Sequence, residues 1–233
     1  MSIKVIAISG YARAGKDTFV GIAKNILIKN GHRAFRIAFA DKLKDEVHKM
    51  LISNGFKLNL LDVNTEEKDR IRPLYVFWGC QRRYESNEGL YWVNDVDKQL
   101  HGVVNDMLRN GEDHQRIVAL VSDIRFPNEV KWVHDQWGGV VIHLKKYTTK
   151  WMKSGQDGSD ETLVRVYDDA PNEEEAKQDP LVQKMADHCI EWESAKKTTS
   201  TEAIADPQLQ AIVLSALNNT KYFKHPTIGI LSQ

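Results

Sequence analysis

Little in this chain points toward the secreted, membrane-spanning or nucleic-acid-binding classes. Its only two cysteines, Cys80 and Cys189, stand far apart in no metal or redox spacing. That argues against a disulfide framework and fits a reducing cytosol. No apolar run approaches the ~20 residues of a membrane span, and Met1-Ser2-Ile3-Lys4 leads straight into apolar sequence with no signal-peptide pattern. A soluble cytoplasmic protein without a membrane partner is expected. Charge of one sign is also missing: Lys plus Arg number 32 and Asp plus Glu number 32. No overall field then draws the chain to nucleic acid, which is not expected as a partner. The eight histidines show no metal-ligand spacing, and neither a nucleophile-elbow motif nor an internal repeat occurs. At 233 residues the chain can bury a full core as one domain with insertions.

What is present is concentrated near the amino terminus. Gly10-Tyr11-Ala12-Arg13-Ala14-Gly15-Lys16-Asp17-Thr18 follows the apolar run Ile3 to Ile8 and precedes the helical pattern Phe19 to Leu27. A glycine-bounded spacer ending in lysine, set between a strand and a helix, is the context of a phosphate-binding P-loop. Glycines let successive N–H groups surround a phosphate chain, and the helix adds its positive end. Gly10, Arg13, Ala14, Gly15, Lys16, Asp17 and Thr18 are therefore candidate nucleotide ligands, with Lys16 reaching the outer phosphates. The hydroxyl residue usual after the lysine is replaced by Asp17, so Asp17 or the following Thr18 would serve a magnesium ion.

Downstream, the first helix should end near Asn30 with Gly31 as its left-handed stop, and Arg33 to Ala40 reads as a second strand. Asp41 either caps the next helix or meets a ligand at the strand's carboxyl end. Gly55 to Asn64 looks irregular, and a helix from Thr65 toward Gly79 should be interrupted near Pro73. Lys68, Arg70, Arg72, Arg82 and Arg83, interleaved with Tyr75, Phe77 and Trp78, are either a solvated face or a pocket for a phosphate monoester beside a stacked base. A further helix, Tyr91 to Leu108, leads to the apolar strand Arg116 to Asp123. A strand ending in aspartate suits magnesium binding or a helix cap. Arg125, Asn128 and Glu129 follow at the same strand end, with Pro127 opening a helix to Gln136. Gly139 to Leu144 is a fourth strand, and the polar stretch Tyr147 to Gln178 reads as disorder or a lid. Lys145, Lys146, Lys150, Lys153 and Arg165 are the lid cations, and Glu173-Glu174-Glu175 is a solvated helix start. Asp187 to Trp192 forms a short last strand, a polar loop follows, and a helix spans Pro207 to Leu217.

Taken in order, Gly15-Lys16-Asp17-Thr18, Phe39-Ala40-Asp41-Lys42-Leu43-Lys44, Arg72-Pro73-Leu74 with Gly79 and Arg83, Tyr91-Trp92-Val93 and Asp123-Ile124-Arg125-Phe126-Pro127-Asn128-Glu129 resemble the deoxynucleoside monophosphate kinases of large tailed bacteriophages. These belong to the P-loop kinase superfamily, and the likeness covers roughly residues 1–145. The resemblance implies a three-layer α/β fold with a mostly parallel five-stranded sheet in a single domain over 1–233. Its core would comprise 1–55, 112–145 and 180–220, with an acceptor-binding insertion at about 56–111 and a lid at about 146–180. It implies transfer of the ATP γ-phosphoryl group to a deoxynucleoside monophosphate with Mg²⁺. Lys16, Asp17, Arg83 and Arg125 would be catalytic, and Asp17, Thr18 and Asp123 would attend the metal. Arg13, Phe39, Asp41, Lys42, Arg70, Arg72, Arg83, Trp92, Asp123, Arg125, Asn128 and Glu129 would contact the acceptor, Phe39 and Trp92 packing on its base. Members of this family are often dimers, so a homodimer is an expected state. Two other readings stay open: a P-loop kinase for a phosphomevalonate or dephospho-coenzyme A type acceptor, the Gly-Lys-Asp loop also occurring in animal-type phosphomevalonate kinase, and a non-enzymatic nucleotide switch.

Overall fold

In the computed structural model, residues 3–56, 65–154, 160–194 and 199–223 are described. In chain order the elements are β1 (Lys4–Ser9), α1 (Lys16–Lys29), β2 (Arg33–Ala38), α2 (Phe39–Ser53), α3 (Thr65–Glu85), α4 (Tyr91–Arg109), β3 (Ile117–Ile124), α5 (Pro127–Asp135), β4 (Val140–Ser154), β5 (Asp160–Tyr167), α6 (Glu173–Met185), β6 (His188–Glu193), α7 (Ser200–Ala205) and α8 (Pro207–Asn219). They form two units, residues 1–36 with 113–233 and residues 37–112. The insertion expected at about 56–111 falls in the second unit, which begins at Ile37.

The first unit is α/β, a mixed sheet of six strands flanked by helices. Strand order is β2-β3-β1-β4-β5, with β6 also paired to β4. β1 runs parallel to β3 and β4, and β4 runs parallel to β6. Near-continuous apolar runs in β1 and β3 follow from burial on both sheet faces. Ile6, Ile8, Val118, Leu120, Ile142 and Leu144 share one core with Phe19 and Leu27 of α1 and Val213 and Leu217 of α8. The alternate residues Val5, Ala7, Ala119, Val121 and Val141 are also buried, on the opposite face by strand periodicity. There α5 and α6 pack on each other and on β4.

The sheet has six strands where five were expected. The extra one arises in the supposed lid: β4 continues to Ser154 and turns back antiparallel as β5, pairing Tyr147 with Tyr167 and Ser154 with Asp160. Both strands of this arm carry exposed side chains, Trp151, Met152 and Leu163 among them. Without a buried face the arm shows no hydrophobic alternation, so its sequence reads as a polar loop. The stretch after β6, also read as a loop, contains α7, which starts with a Thr199–Glu202 capping box.

The second unit is helical. Leu43, Val47 and Leu51 of α2 pack with Ile71, Leu74, Tyr75 and Trp78 of α3. Helix α3 continues through Pro73 instead of breaking there. An interior proline costs about 3 kcal/mol, and burial of Ile71 with Leu74 beside it offsets that. Glu46 of α2 ties the helices together. Trp78 Nε1 donates to its Oε2 at 2.9 Å, Arg82 Nε to Oε2 at 3.3 Å and the Tyr91 hydroxyl to Oε1 at 2.6 Å. Burial pushes the Glu46 carboxyl up, but those hydrogen bonds and the Arg82 charge hold it below the usual carboxylate range. Among the described residues, no helix is long and apolar enough to cross a membrane.

Candidate functional site

The loop between β1 and α1 turns on two glycines at which any side chain would be strained. Gly10 has φ 129°, and a Cβ there would lie 2.4 Å from the carbonyl oxygen of Leu144. Gly15 has φ 90° and caps α1 without any side-chain hydrogen bond. A Cβ on Gly15 would lie 2.4 Å from the Trp192 ring, whose Nε1 donates to Ala14 O at 2.8 Å. Trp192 of β6 thus braces the loop from below. Gly15 supplies no side-chain cap to α1, and the first-turn N–H groups and the helix dipole favour an anion at that end.

Lys16, the first residue of α1, is only 6% exposed. Its ammonium folds back over the loop and donates to Gly10 O and Tyr11 O, each at 2.8 Å. Its pKa is lowered from 10.5 to about 8, chiefly by burial and then by Arg125, with Asp123, Glu175 and Asp17 acting against that shift. A desolvated cation surrounded by its own loop carbonyls gains most from an arriving polyanion.

Asp123 lies beside this lysine electrostatically and has φ 68°, rare for a residue with a Cβ. The register between β1 and β3 slips there: Ala7 faces Val121, but Ser9 faces Ile124. The inserted residue makes a bulge that turns Asp123 out of the strand pattern, a device common beside active sites. Arg125 follows, its Nη1 donating to Glu175 Oε1 at 2.6 Å. Glu129, expected among the acceptor contacts, is 1% exposed and accepts from the backbone N–H groups of Arg125 and Phe126 at 2.7 and 3.1 Å. Its carboxylate shapes the turn into α5 and so aims Arg125. Asn128 sits half-buried in the first turn of α5.

The remaining predicted residues divide between the two units. In the first, Arg13 is exposed with φ 69°, and its carbonyl accepts from Lys146 Nζ at 2.9 Å. Asp17 is 85% exposed at its side chain, 3.9 Å from Arg36. Thr18 is half-buried. Lys146 also pairs with Asp168 at 3.0 Å, Lys145 lies over the Tyr167 ring, and exposed Arg165 pairs with Glu191 at 3.1 Å. Lys150 is exposed on β4; the side chain of Lys153 lies outside the described residues. In the second unit, Phe39 begins α2, so Asp41 sits in its first turn; the capping position belongs to Ala38. Lys42 is 3.9 Å from Asp95. Arg70 is exposed, Arg72 half-buried, and Arg83 Nη1 donates to Gly89 O at 3.3 Å. Phe39 and Trp92 are 6% and 3% exposed. The Trp92 indole donates to Gly79 O at 2.9 Å, which fastens α4 to α3.

Two groups escaped the sequence reading. Glu175 is buried instead of solvated, and it accepts the Ala12 N–H at 2.7 Å. Buried Ser9 and His143 form the second: Ser9 Oγ is 3.0 Å from His143 Nδ1, and His143 Nε2 is 3.6 Å from Asp179. Burial moves both titrating partners toward their neutral forms, His143 down to about 4 and Asp179 up to about 6. These three side chains link β1, β4 and α6, and His143 and Asp179 line a cavity of about 280 Å³ that also touches Tyr11, Lys145 and Lys146. No pattern in the sequence marks it, because the partners are brought together only by the sheet.

A divalent cation fits the donors present. Asp123 and Thr18 offer a carboxylate and a hydroxyl beside the loop, hard oxygen ligands of the kind Mg²⁺ takes with phosphate oxygens and water. Among the described residues, no three potential metal-ligating side chains gather into a cage. No protein-family model matches the chain, and no curated protein matches it at a significant level.

Proposed function

We propose that this chain is a phosphotransferase of the P-loop kinase class. More particularly, we read it as a deoxynucleoside monophosphate kinase, transferring the γ-phosphoryl group of ATP to a deoxynucleoside monophosphate to give the diphosphate and ADP. The observation that carries the reading is Lys16: a buried, desolvated ammonium held over a glycine-built loop at the start of a helix. Asp123, raised on a bulge of the adjacent parallel strand, supports it further.

Phosphoryl transfer asks little covalent chemistry of a protein and much positioning of charge. The loop amides and Lys16 hold the donor's phosphate chain. Asp123 and Thr18, with Asp17 through water, are the residues that would hold Mg²⁺, whose charge neutralises phosphate oxygens when it is bound. Arg125 supplies a guanidinium for the transferring group, kept in place by the Glu129 turn. Arg72, Arg83 and Lys42 serve the acceptor phosphate, and Asp41 its sugar. An acceptor monophosphate is already ionised at neutral pH, so no strong general base is needed. Phe39 and Trp92, assigned to the base, are almost fully buried, and the Trp92 indole is bonded to the Gly79 carbonyl. Lys145, Lys146, Lys150, Lys153 and Arg165 lie on the β4–β5 arm, which takes the lid role of excluding water from the donor. The test is an acceptor panel in which the deoxynucleoside monophosphates compete with phosphorylated non-nucleotides for phosphate from ATP.

A further inference from the structure

Helix α6 begins with three glutamates, and only the third is buried. Glu173 is exposed, Glu174 half-exposed, and Glu175 retains 8% of its surface. Asn172 caps the helix by accepting from the Glu175 N–H at 2.8 Å. The Glu175 carboxylate then turns into the loop. Its Oε2 accepts the Ala12 main-chain N–H at 2.7 Å, and its Oε1 accepts from Arg125 Nη1 at 2.6 Å and Asn172 Nδ2 at 3.1 Å. One loop amide plus one guanidinium is the donor set a phosphoryl oxygen would use. Ala12 also stands in the first half of the loop, away from the α1 end where Gly15 and Lys16 offer their N–H groups. In a loop of this type the helix end takes the inner phosphates and the lysine reaches outward. The Ala12 side therefore faces the outer end of the chain.

Resting on the reading of this loop as a triphosphate seat, we propose that the Ala12 N–H and Arg125 form the subsite for the terminal phosphoryl group. Glu175 is an internal oxyanion that fills this subsite until a nucleoside triphosphate displaces it. A carboxylate and a terminal phosphate cannot share these donors, because like charges a few ångströms apart repel strongly in a desolvated site. Displacement frees Arg125 for the transferring group. It needs only the first turn of α6 to move, since Asp179, one turn further along, stays anchored at His143. Only a triphosphate engages the device: it gains the donors that Glu175 releases and bears the cost of displacing it, whereas a diphosphate leaves the carboxylate where it is.

The experiment is calorimetric titration of ATP and of ADP, without acceptor, into the full-length wild-type protein and its E175Q, E175A and K16A variants. Circular dichroism establishes that each is folded. E175Q is close to isosteric and can keep the bond from Asn172, so it reads the effect of charge even if E175A is unstable. The expected result is ATP binding about tenfold tighter in E175Q, with ADP affinity changed less than about twofold, because a self-occupied site lowers apparent affinity by the fraction in which it is open. Unchanged or weaker ATP binding, or ATP and ADP shifting in parallel, would overturn the proposal and leave Glu175 a fixed helix-capping counter-ion, with the kinase reading intact. Absence of ATP binding in every protein, wild type included, would overturn both.

Discussion

Replacing Lys16 by methionine tests directly whether the loop holds a desolvated cation. The folded protein lowers the Lys16 pKa from 10.5 to about 8, which at pH 7 corresponds to about 3 kcal/mol of destabilisation of the charged form. Below pH 8 both folded and unfolded chains carry the proton, and the destabilisation is present in full. Between pH 8 and 10.5 the unfolded chain holds a proton that the folded one releases, so this group makes the protein more stable as pH rises. By pH 10 about 1 kcal/mol remains. Methionine removes the effect but leaves the carbonyls of Gly10 and Tyr11 without the ammonium, a loss of about 1 kcal/mol for each bond. At pH 7 the variant should therefore be more stable than the wild type by about 1 kcal/mol. Urea unfolding of both proteins at pH 7, 8, 9 and 10 should show the wild type gaining about 2 kcal/mol on the variant across that range. The other titrating groups are common to both proteins and cancel. ATP is expected to raise the wild-type midpoint and to leave that of the variant unmoved. A stability difference independent of pH would refute the desolvated ammonium, and an ATP-induced shift surviving in Lys16→Met would remove Lys16 from the donor site.

Two further substitutions test the loop's scaffold. Gly15→Ala places a Cβ at φ 90° and 2.4 Å from the Trp192 ring, for which left-handed strain and loss of the Trp192–Ala14 bond suggest roughly 3 kcal/mol. A thermal melt should fall by roughly 6–12 °C for a protein of this size, and an unchanged melt would mean that Trp192 does not brace the loop. Asp123→Asn keeps a residue that tolerates the left-handed backbone, so stability should stay within about 1 kcal/mol while Mg²⁺-dependent turnover falls about a hundredfold or more. Near-normal turnover in that variant would take Asp123 out of the metal's surroundings.

The parts of the fold visible in the sequence are those whose signal is local. β1, α1 and β3 announce themselves through apolar runs and a glycine-rich turn, and Gly31 has the positive φ its place after α1 requires. Pro127 opens α5, a one-residue signal with a known mechanism. What stayed hidden depends on contacts far apart in the chain. Glu175 looks like any solvated first-turn glutamate until α6 is set against a loop more than 160 residues earlier. His143 is an ordinary strand residue until Ser9 and Asp179 meet it. The β4–β5 arm hides for a different reason: with hydrophobic side chains exposed along it, it has no alternation to read. An aromatic in a motif suggests a base platform, whereas the burial of Trp92 and its bond to the Gly79 carbonyl become visible only in the fold.

The most direct measurement is the fate of a γ-labelled phosphate. ATP labelled at that position, Mg²⁺ and each of the four deoxynucleoside monophosphates are incubated with the purified chain, and the products are separated. The account predicts label in at least one deoxynucleoside diphosphate, with ADP formed in equal amount and little free phosphate while acceptor is present. Label released only as inorganic phosphate, or carried only to a phosphorylated non-nucleotide, would contradict it.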